Sequence, residues 1–480
     1  MLLSKKTGYR SMLDRTLLHM GKKDHADDQL RLRDLCEHVF IFGSTGTGKT
    51  STVGYHLAKN ILNATNLPEN EKIGMIVFLY KKDDIYQWID WAEEQDRGDD
   101  LLVIGPEDKD VFNILESYHD KEAISAVDVL MVLSGLSMSG NNQQNSEQYW
   151  EQMNRQRLHR LVLLNKMCGE PLNIHTLYKL HSTAPQHPDQ MESEDFKSRS
   201  YCWQMLDKAF EHAGENNSQF QLVEDYFVRE FPHMADRTQS SILSLTGAIL
   251  EPFVSSPLLS GLFCGGTTLS LDDMLCGKIV ILNLPIQQYE YAGKLAQVLF
   301  KHVLQKRIEE RDLAAIPNPV CMFIDEYQHF ISPYDFLFLS TARSSRASCI
   351  LMTQNISNLY AQIGGTGRVA EEKVNALLAL TNHKFFLAQN NSITNEFASR
   401  TIGMGIHMLG TTSVQIQDYA GNAGMSSSYN YQVMPREFTM LKRGGSHHDG
   451  IVEAIVTATG KTFSNGKNYM KLHFKQPWHS

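Results

Sequence analysis

Eight consecutive residues carry the strongest chemical signal in this chain: Gly43, Ser44, Thr45, Gly46, Thr47, Gly48, Lys49 and Thr50. They satisfy the pattern G-x-x-x-x-G-K-[ST]. Small residues let successive backbone N–H groups curl around phosphate oxygens. A helix beginning there adds the partial positive charge of its N-terminus. Lys49 is expected to reach the β- and γ-phosphates, and Thr50 to offer its hydroxyl to Mg2+. Ser51 completes the cradle. The expected ligands are ATP and Mg2+.

A second constellation lies at the end of an apolar run, Val320, Cys321, Met322, Phe323 and Ile324, which delivers Asp325 and Glu326. Open α/β sheets bind ligands at the C-terminal ends of their strands. Asp325 is expected in the Mg2+ shell and Glu326 as the group that orients and deprotonates an attacking water. An acid pair in this position favours hydrolysis over a nucleotide switch. The next apolar strand ends at Thr353 and Gln354, and Gln354 is expected to position water or report hydrolysis to neighbouring loops. Arg343 and Arg346 follow the acidic strand and are candidate arginine fingers, a role often filled across a subunit boundary. Arg368, Arg400 and Lys384 are weaker candidates for it.

These residues need elements to hold them. Residues 38–42 read as a buried strand running into the glycine-rich loop, and residues 51–62 as the helix after it. Residues 73–80 and 101–104 read as further buried strands. From 113 to about 262 the texture is helical, with polar breaks at 141–145 and 185–195. Alternation then resumes with strands at 278–284, 320–324, 348–352 and 383–387. Helices are expected at 291–310, 334–346, 371–380 and 393–402. Residues 411–480 read as hairpins on one edge. The expected fold is α/β: a RecA-like, doubly wound P-loop NTPase domain with an inserted all-α domain. The expected division is an N-terminal arm at 1–36, the first part of the NTPase domain at 37–112, the all-α insertion at 113–265, and the second part at 266–480.

Composition bounds the function. The chain has 480 residues, of which 42% are hydrophobic and 21% charged, which excludes global disorder. Its 45 basic and 54 acidic residues give a net charge of −9. That excludes a basic nucleic-acid coat, so any DNA contact must come from local basic groups or from an assembly that concentrates them. Lys5, Lys6, Arg10, Arg15, Lys22 and Lys23 are weak candidates for touching phosphate or acidic lipid. Residues 81–110 carry 4 basic and 11 acidic residues. With Trp88 and Trp91 inside it, this stretch reads as a solvated helix face or a protein-docking surface. The seven cysteines include no pair separated by only two residues, which excludes a zinc ribbon. His447 and His448 read as a polar turn rather than a metal site. No signal-peptide pattern and no run of 18 apolar residues occurs, so a cytoplasmic location is expected.

The spacing adds one requirement: 276 residues separate Lys49 from Asp325. Compact P-loop folds bring the acidic strand much sooner, so a large insertion must intervene. Here the sequence resembles the type IV secretion coupling proteins, DNA-pumping ATPases of the FtsK/HerA-like group. The resemblance spans roughly residues 37–460. It rests on 43–50, the end of the insertion at 237–242, 278–285, 323–327, 353–355 and 382–386. It ends with Pro435, Arg436, Glu437, Phe438, Thr439, Met440, Leu441, Lys442, Arg443 and Gly444. The resemblance implies a homo-hexameric ring in which ATP hydrolysis drives passage of DNA, or of a DNA–protein substrate, toward a secretion channel. It implies secretion or mobilisation proteins as partners, docked through the all-α domain. Many members carry transmembrane helices before the P-loop. Here 42 residues precede Gly43, with no apolar run long enough to span a membrane, so the expectation is a chain without that anchor, cytoplasmic or peripheral to the inner membrane. Two alternatives stand beside the motor: an ATP-gated adaptor that recruits proteins without moving DNA, and a soluble translocase of a mobile element, phage or defence system.

Overall fold

Runs of apolar residues bounded by turns become strands, as buried parallel strands require. The computed structural model describes residues 12–65, 67–107, 111–137, 144–364, 367–414 and 421–477. Side chains are described for all of these except 135–137, 144–147, 407–414 and 421–426. The strands are β1 (Thr16–His19), β2 (Gln29–Arg31), β3 (Val39–Phe42), β4 (Gly74–Phe78), β5 (Leu101–Ile104), β6 (Ile279–Leu282) and β7 (Val320–Ile324). They continue with β8 (Ala347–Thr353), β9 (His383–Leu387), β10 (Met404–Val414), β11 (Gly421–Tyr431), β12 (Ile451–Ala458) and β13 (Tyr469–Lys475). The fold is α/β and mostly parallel, with a helical insert, and the chain divides into two compact units.

The first unit comprises Met1–Leu67, Cys321–Gln328 and Arg346–Ser480. Its strands lie in the order β13-β12-β9-β3-β8-β7. β3 runs parallel to β8 and to β9, with Phe42 level with Thr353 and with Phe386. Three strands therefore end together, and the loops that follow them meet. Phe40, Phe42 and Phe386 stack between the strands, and the four residues of β3 are wholly buried. The expected edge hairpins separate into two structures. β12 and β13 pair with each other, and β12 lies antiparallel on β9. β10 and β11 instead form their own two-stranded ribbon, with Met404 opposite Tyr431.

Residues 12–36 differ from the arm or short helix expected there. They form the β1–β2 hairpin and a helical turn, Leu32–Leu35, whose apolar side chains are buried. Asp28, fully buried, accepts hydrogen bonds from the backbone N–H groups of Lys22 and Ser464. Lys461 donates to Asp34 at 2.8 Å. Arg15 caps the end of helix Tyr55–Leu62, donating to the carbonyls of Asn60 and Asn63, so it is not a surface contact for phosphate or lipid. Lys5, Lys6 and Arg10 lie outside the described residues.

The second unit comprises Pro68–Val320 and His329–Ser345. β4 and β5 run parallel on either side of β6. Helices run from Ala123–Ser137 to Pro257–Phe263. Their starts follow local chemistry. The Asn173 side chain accepts from the Thr176 N–H at 2.8 Å. Ser200 accepts from Trp203, and Ser256 precedes Pro257 at the first turn. Within the polar break expected at 141–145, residues 141–143 lie outside the described residues. Among the described residues no single helix is long and apolar enough to cross a membrane.

One sequence expectation is overturned here. Trp88 and Trp91 are not on a docking surface. Helix Asp84–Glu93 turns Ile85, Trp88, Trp91 and Ala92 inward, and the two indoles pack edge to face at 5.0 Å. Asp90, Glu93 and Glu94 are exposed on the other side of the helix, and Asp100 is buried against Arg97 at 2.5 Å, which makes the average charge of the stretch misleading.

Candidate active site

All residues of the glycine-rich loop, both acids and Gln354 belong to the first unit. The loop leaves β3 at Gly43, whose N–H donates to the Thr353 carbonyl at the end of β8. Ser44 then donates to the Ala388 carbonyl beyond β9. A side chain at Gly43 would stand 2.7 Å from the Thr47 hydroxyl, so the curl admits no Cβ there. Gly48 turns the chain into the helix at φ +85°, a conformation that costs other residues about 1 kcal/mol or more. The helix begins at Lys49 with one wide turn, Tyr55 N–H bonding the Thr50 carbonyl, and continues as Tyr55–Leu62. Thr47, itself buried, donates to the Ser44 carbonyl at 2.7 Å. The Ser51 hydroxyl accepts from the Gln476 amide at 3.4 Å.

Lys49 is buried, and its ammonium rests on the Gly43 carbonyl at 2.8 Å. The cation is held inside the loop that the glycines leave open. Thr50 Oγ1 donates to Asp325 Oδ2 at 2.5 Å. A hydroxyl and a carboxylate side by side are the hard oxygen donors that Mg2+ takes. Asp325 also accepts from the Glu326 N–H at 2.8 Å. Burial raises the Asp325 carboxyl above its ordinary value, and the Thr50 hydrogen bond opposes this. The neighbouring Glu326 raises it further, while Lys49 opposes.

Glu326 adopts φ +51°. A non-glycine residue in this region carries roughly 1–3 kcal/mol of strain. The left-handed kink turns the chain sharply after β7. The buried Glu326 carboxylate accepts from Gln328 Nε2 at 2.7 Å and from Gln354 Nε2 at 3.2 and 3.3 Å. Gln354 in turn accepts from the Thr45 hydroxyl at 3.1 Å. Two neutral amides thus aim the acid, and one of them is tied to the phosphate loop.

Sequence reading missed three members of this network. Gln328 is buried and bridges Glu326 to the Thr353 hydroxyl, 2.7 Å from its Oε1. Gln389 and Asn390, beyond β9, meet Ser44 at 2.8 and 2.7 Å. The polar run Gln389, Asn390 and Asn391, one residue past the apolar strand 383–387, is a signal of a strand-end loop, but it does not name their partners.

Arg346 stands apart. Arg346, at φ +52°, immediately precedes β8. Gln354 follows that strand, which puts Arg346 at its opposite end, roughly 25 Å away along an extended chain. Arg343 is exposed on the turn after helix Tyr334–Thr341, in the second unit. Lys384 is also at the far end: it sits in β9 beside the start of β3, with its ammonium on the Thr381 carbonyl. Burial pushes its pKa down to about 8. Arg368 pairs with Glu372 on its own helix. His447 and His448 lie in a short turn, Ser446–His448, and among the described residues no cluster of His, Cys, Asp and Glu is arranged to hold a metal.

A family model described as "Type IV secretory system Conjugative DNA transfer" matches residues 6–438. No curated protein sequence matches the chain. Among solved structures, the plasmid coupling protein TrwB in complex with ADP and Mg2+ is similar, at 14% identity and a TM-score of 0.62. That match covers 98% of this chain and 93% of the other. TrwB with the non-hydrolysable GTP analogue GDPNP is 15% identical, with a TM-score of 0.61 and coverage of 98% and 94%. The unbound bacterial conjugative coupling protein TrwBdeltaN70 is 14% identical, with a TM-score of 0.59 and coverage of 98% and 93%. At these identities the likeness is one of fold.

Proposed function

The chain belongs to the type IV secretory system conjugative DNA-transfer family, and we propose that it is an ATP-hydrolysing motor that moves DNA. The observation that carries this reading is the convergence at the ends of β3, β7 and β8. Thr50 meets Asp325, and Glu326 is aimed by Gln354, within one polar network. Lys49 and the loop N–H groups bind the phosphates. Thr50 and Asp325 would hold Mg2+, which would shield the negative charge of the transferred phosphoryl group. Glu326 takes the proton of the water that attacks the γ-phosphorus as the bond to the ADP oxygen breaks. Gln354 holds that water in line. Lys49 stays with the charge that develops on the leaving side.

Arg346 serves, in this reading, a neighbouring subunit's site, because its own is at the other end of β8. Arg343 is the alternative finger. A homo-hexamer supplies that neighbour and gathers a few basic side chains around a pore, which lets an acidic chain handle DNA. The insertion at 113–265 is the docking domain for secretion or mobilisation proteins, on the cytoplasmic side of the inner membrane.

The test is an ATPase assay with and without single- and double-stranded DNA on size-fractionated protein. We expect DNA-stimulated turnover in the oligomeric fraction. Lys49→Ala should lose ATP binding. Glu326→Gln should bind ATP and turn over about 10²- to 10⁴-fold more slowly, the range for a lost general base. Wild-type turnover by Glu326→Gln would overturn the assignment of the base. Absence of DNA stimulation would overturn the motor in favour of an ATP-gated adaptor.

A further inference from the structure

Gln389 is the most heavily shared side chain near the site, and the hydrolysis reading above assigns it nothing. It is buried, at 4% exposure. Its Oε1 accepts from the Ser44 hydroxyl at 2.8 Å, from the Asn390 N–H at 2.9 Å and from the Asn391 N–H at 3.0 Å. Its Nε2 donates to the main-chain carbonyl of Gln354 at 2.6 Å. One amide therefore holds the phosphate loop with one end and the Gln354 backbone with the other. Gln354 is the residue that aims Glu326.

The main chain of Gln389 faces elsewhere. Its N–H donates to the Phe438 carbonyl at 3.1 Å, in helix Pro435–Thr439. Its carbonyl accepts from Asn395 Nδ2 at 3.3 Å, in helix Ser392–Ile402. Asn391 caps that second helix, accepting from the Thr394 N–H at 2.8 Å. These two helices are the limbs that lead into and out of the β10–β11 ribbon. The side chain of Gln389 grips both site loops, and its backbone grips both limbs.

We propose that Gln389 is a positioning residue that sets Gln354 against Glu326 and transmits the nucleotide state to the base of the β10–β11 ribbon. The proposal rests on the hydrolysis reading. Its chemistry requires an amide. A carboxylate keeps the acceptor for Ser44, Asn390 and Asn391 but faces the Gln354 carbonyl without a proton to give. A thioether of similar length keeps neither end. Because coupling between two sites is reciprocal in binding, nucleotide at the loop must alter protection at the limbs to the degree that the limbs alter nucleotide affinity.

The experiment uses the full chain with ATP and Mg2+. Turnover is measured alongside amide hydrogen exchange in residues 392–402 and 435–439. In the wild type, nucleotide should slow exchange in both limbs. In Gln389→Glu, kcat should fall about tenfold with KM for ATP within about twofold, and the nucleotide-dependent difference in the limbs should vanish. Gln389→Met, read in the same way, covers the case in which Gln389→Glu does not fold. Wild-type kcat in the folded variant, or a limb response that survives in it, would overturn the proposal. The premise fails separately: if Glu326→Gln turns over like wild type, hydrolysis by this site is wrong whatever Gln389 does.

Discussion

Asp325 and Asp335 follow the same strand, and both are held by hydrogen bonds, yet they are built for different ends. Asp335, in the second unit, is neutralised within the chain. Lys301, with no exposed surface, donates to both of its oxygens at 2.6 Å. Gln305 adds a bond at 2.9 Å and the Ser332 N–H one at 3.0 Å. Asp325, in the first unit, has among the described residues only the Thr50 hydroxyl and the Glu326 N–H as hydrogen-bond donors. One acid has its cation in the fold. The other has a carboxyl that burial pushes above the ordinary range. A part-buried carboxylate with no cation hydrogen-bonded to it costs stability unless a cation arrives. The difference separates a structural acid from a ligand-binding one where sequence neighbourhood does not.

The comparison breaks first on stability. Asp335→Ala leaves the Lys301 ammonium buried without its partner, a loss that costs about 3–5 kcal/mol. Urea unfolding followed by the fluorescence of Trp88 and Trp91, in the same unit, should show a drop of that order. A drop below about 1 kcal/mol would mean that Asp335 is no more bound to its cation than Asp325 is to one.

Asp325→Asn should do the opposite in the nucleotide-free protein and leave its thermal midpoint unchanged or higher at neutral pH. Its turnover should fall by about 10²- to 10³-fold, as when a transition-state partner is removed. The pH dependence follows from the direction of the shift. A carboxyl whose folded pKa is raised contributes stability below its ordinary value of 3.8, and that contribution is lost as pH rises through the raised folded value. The advantage of Asn over Asp should therefore be absent in acid, appear across that window and stay constant above it. Thermal melts at a series of pH values check this. An advantage for Asn that is largest in acid would reverse the sign and remove the case for Asp325 as an under-compensated acid.

How much of this was legible beforehand differs by element. The strands were, because parallel buried strands need unbroken apolar runs. β3, β6 and β7 read directly as such, and β7 ends where Asp325 begins. The phosphate loop was legible because its chemistry demands residue types at fixed spacing. Gln328 was not. It lies two residues past Glu326, and strand alternation says nothing across a chain reversal at φ +51°. Gln389 was not, because its partners are Ser44 and Gln354, far away in sequence and brought close only by the register of β9 with β3. The tryptophans were misread for another reason. Charge was summed along 81–110, whereas the helix sorts it by face, and Ile85, Trp88 and Ala92 share the inward one. Alternation marks a strand without naming its neighbour, so 411–480 reads as edge hairpins, whereas β10 and β11 pair with each other in a separate two-stranded ribbon.

The smallest effect sharpens the comparison within the site itself. If Asp325 waits for a cation, Glu326 is already furnished, and its two amide donors should contribute separately. Gln328→Met removes one of them and keeps the volume. The Thr353 hydroxyl then retains the Asn355 carbonyl, 3.3 Å away, so no buried donor is stranded there. Glu326 retains Gln354. A single hydrogen bond contributes about 0.5–1.5 kcal/mol, which corresponds to a fall in kcat of roughly two- to tenfold. KM for ATP should not move, because Gln328 bonds no residue of the phosphate loop. A rise in KM with kcat unchanged would place Gln328 with the phosphate-binding residues. A turnover equal to wild type would reduce it to packing and leave Gln354 alone as the residue that aims the acid.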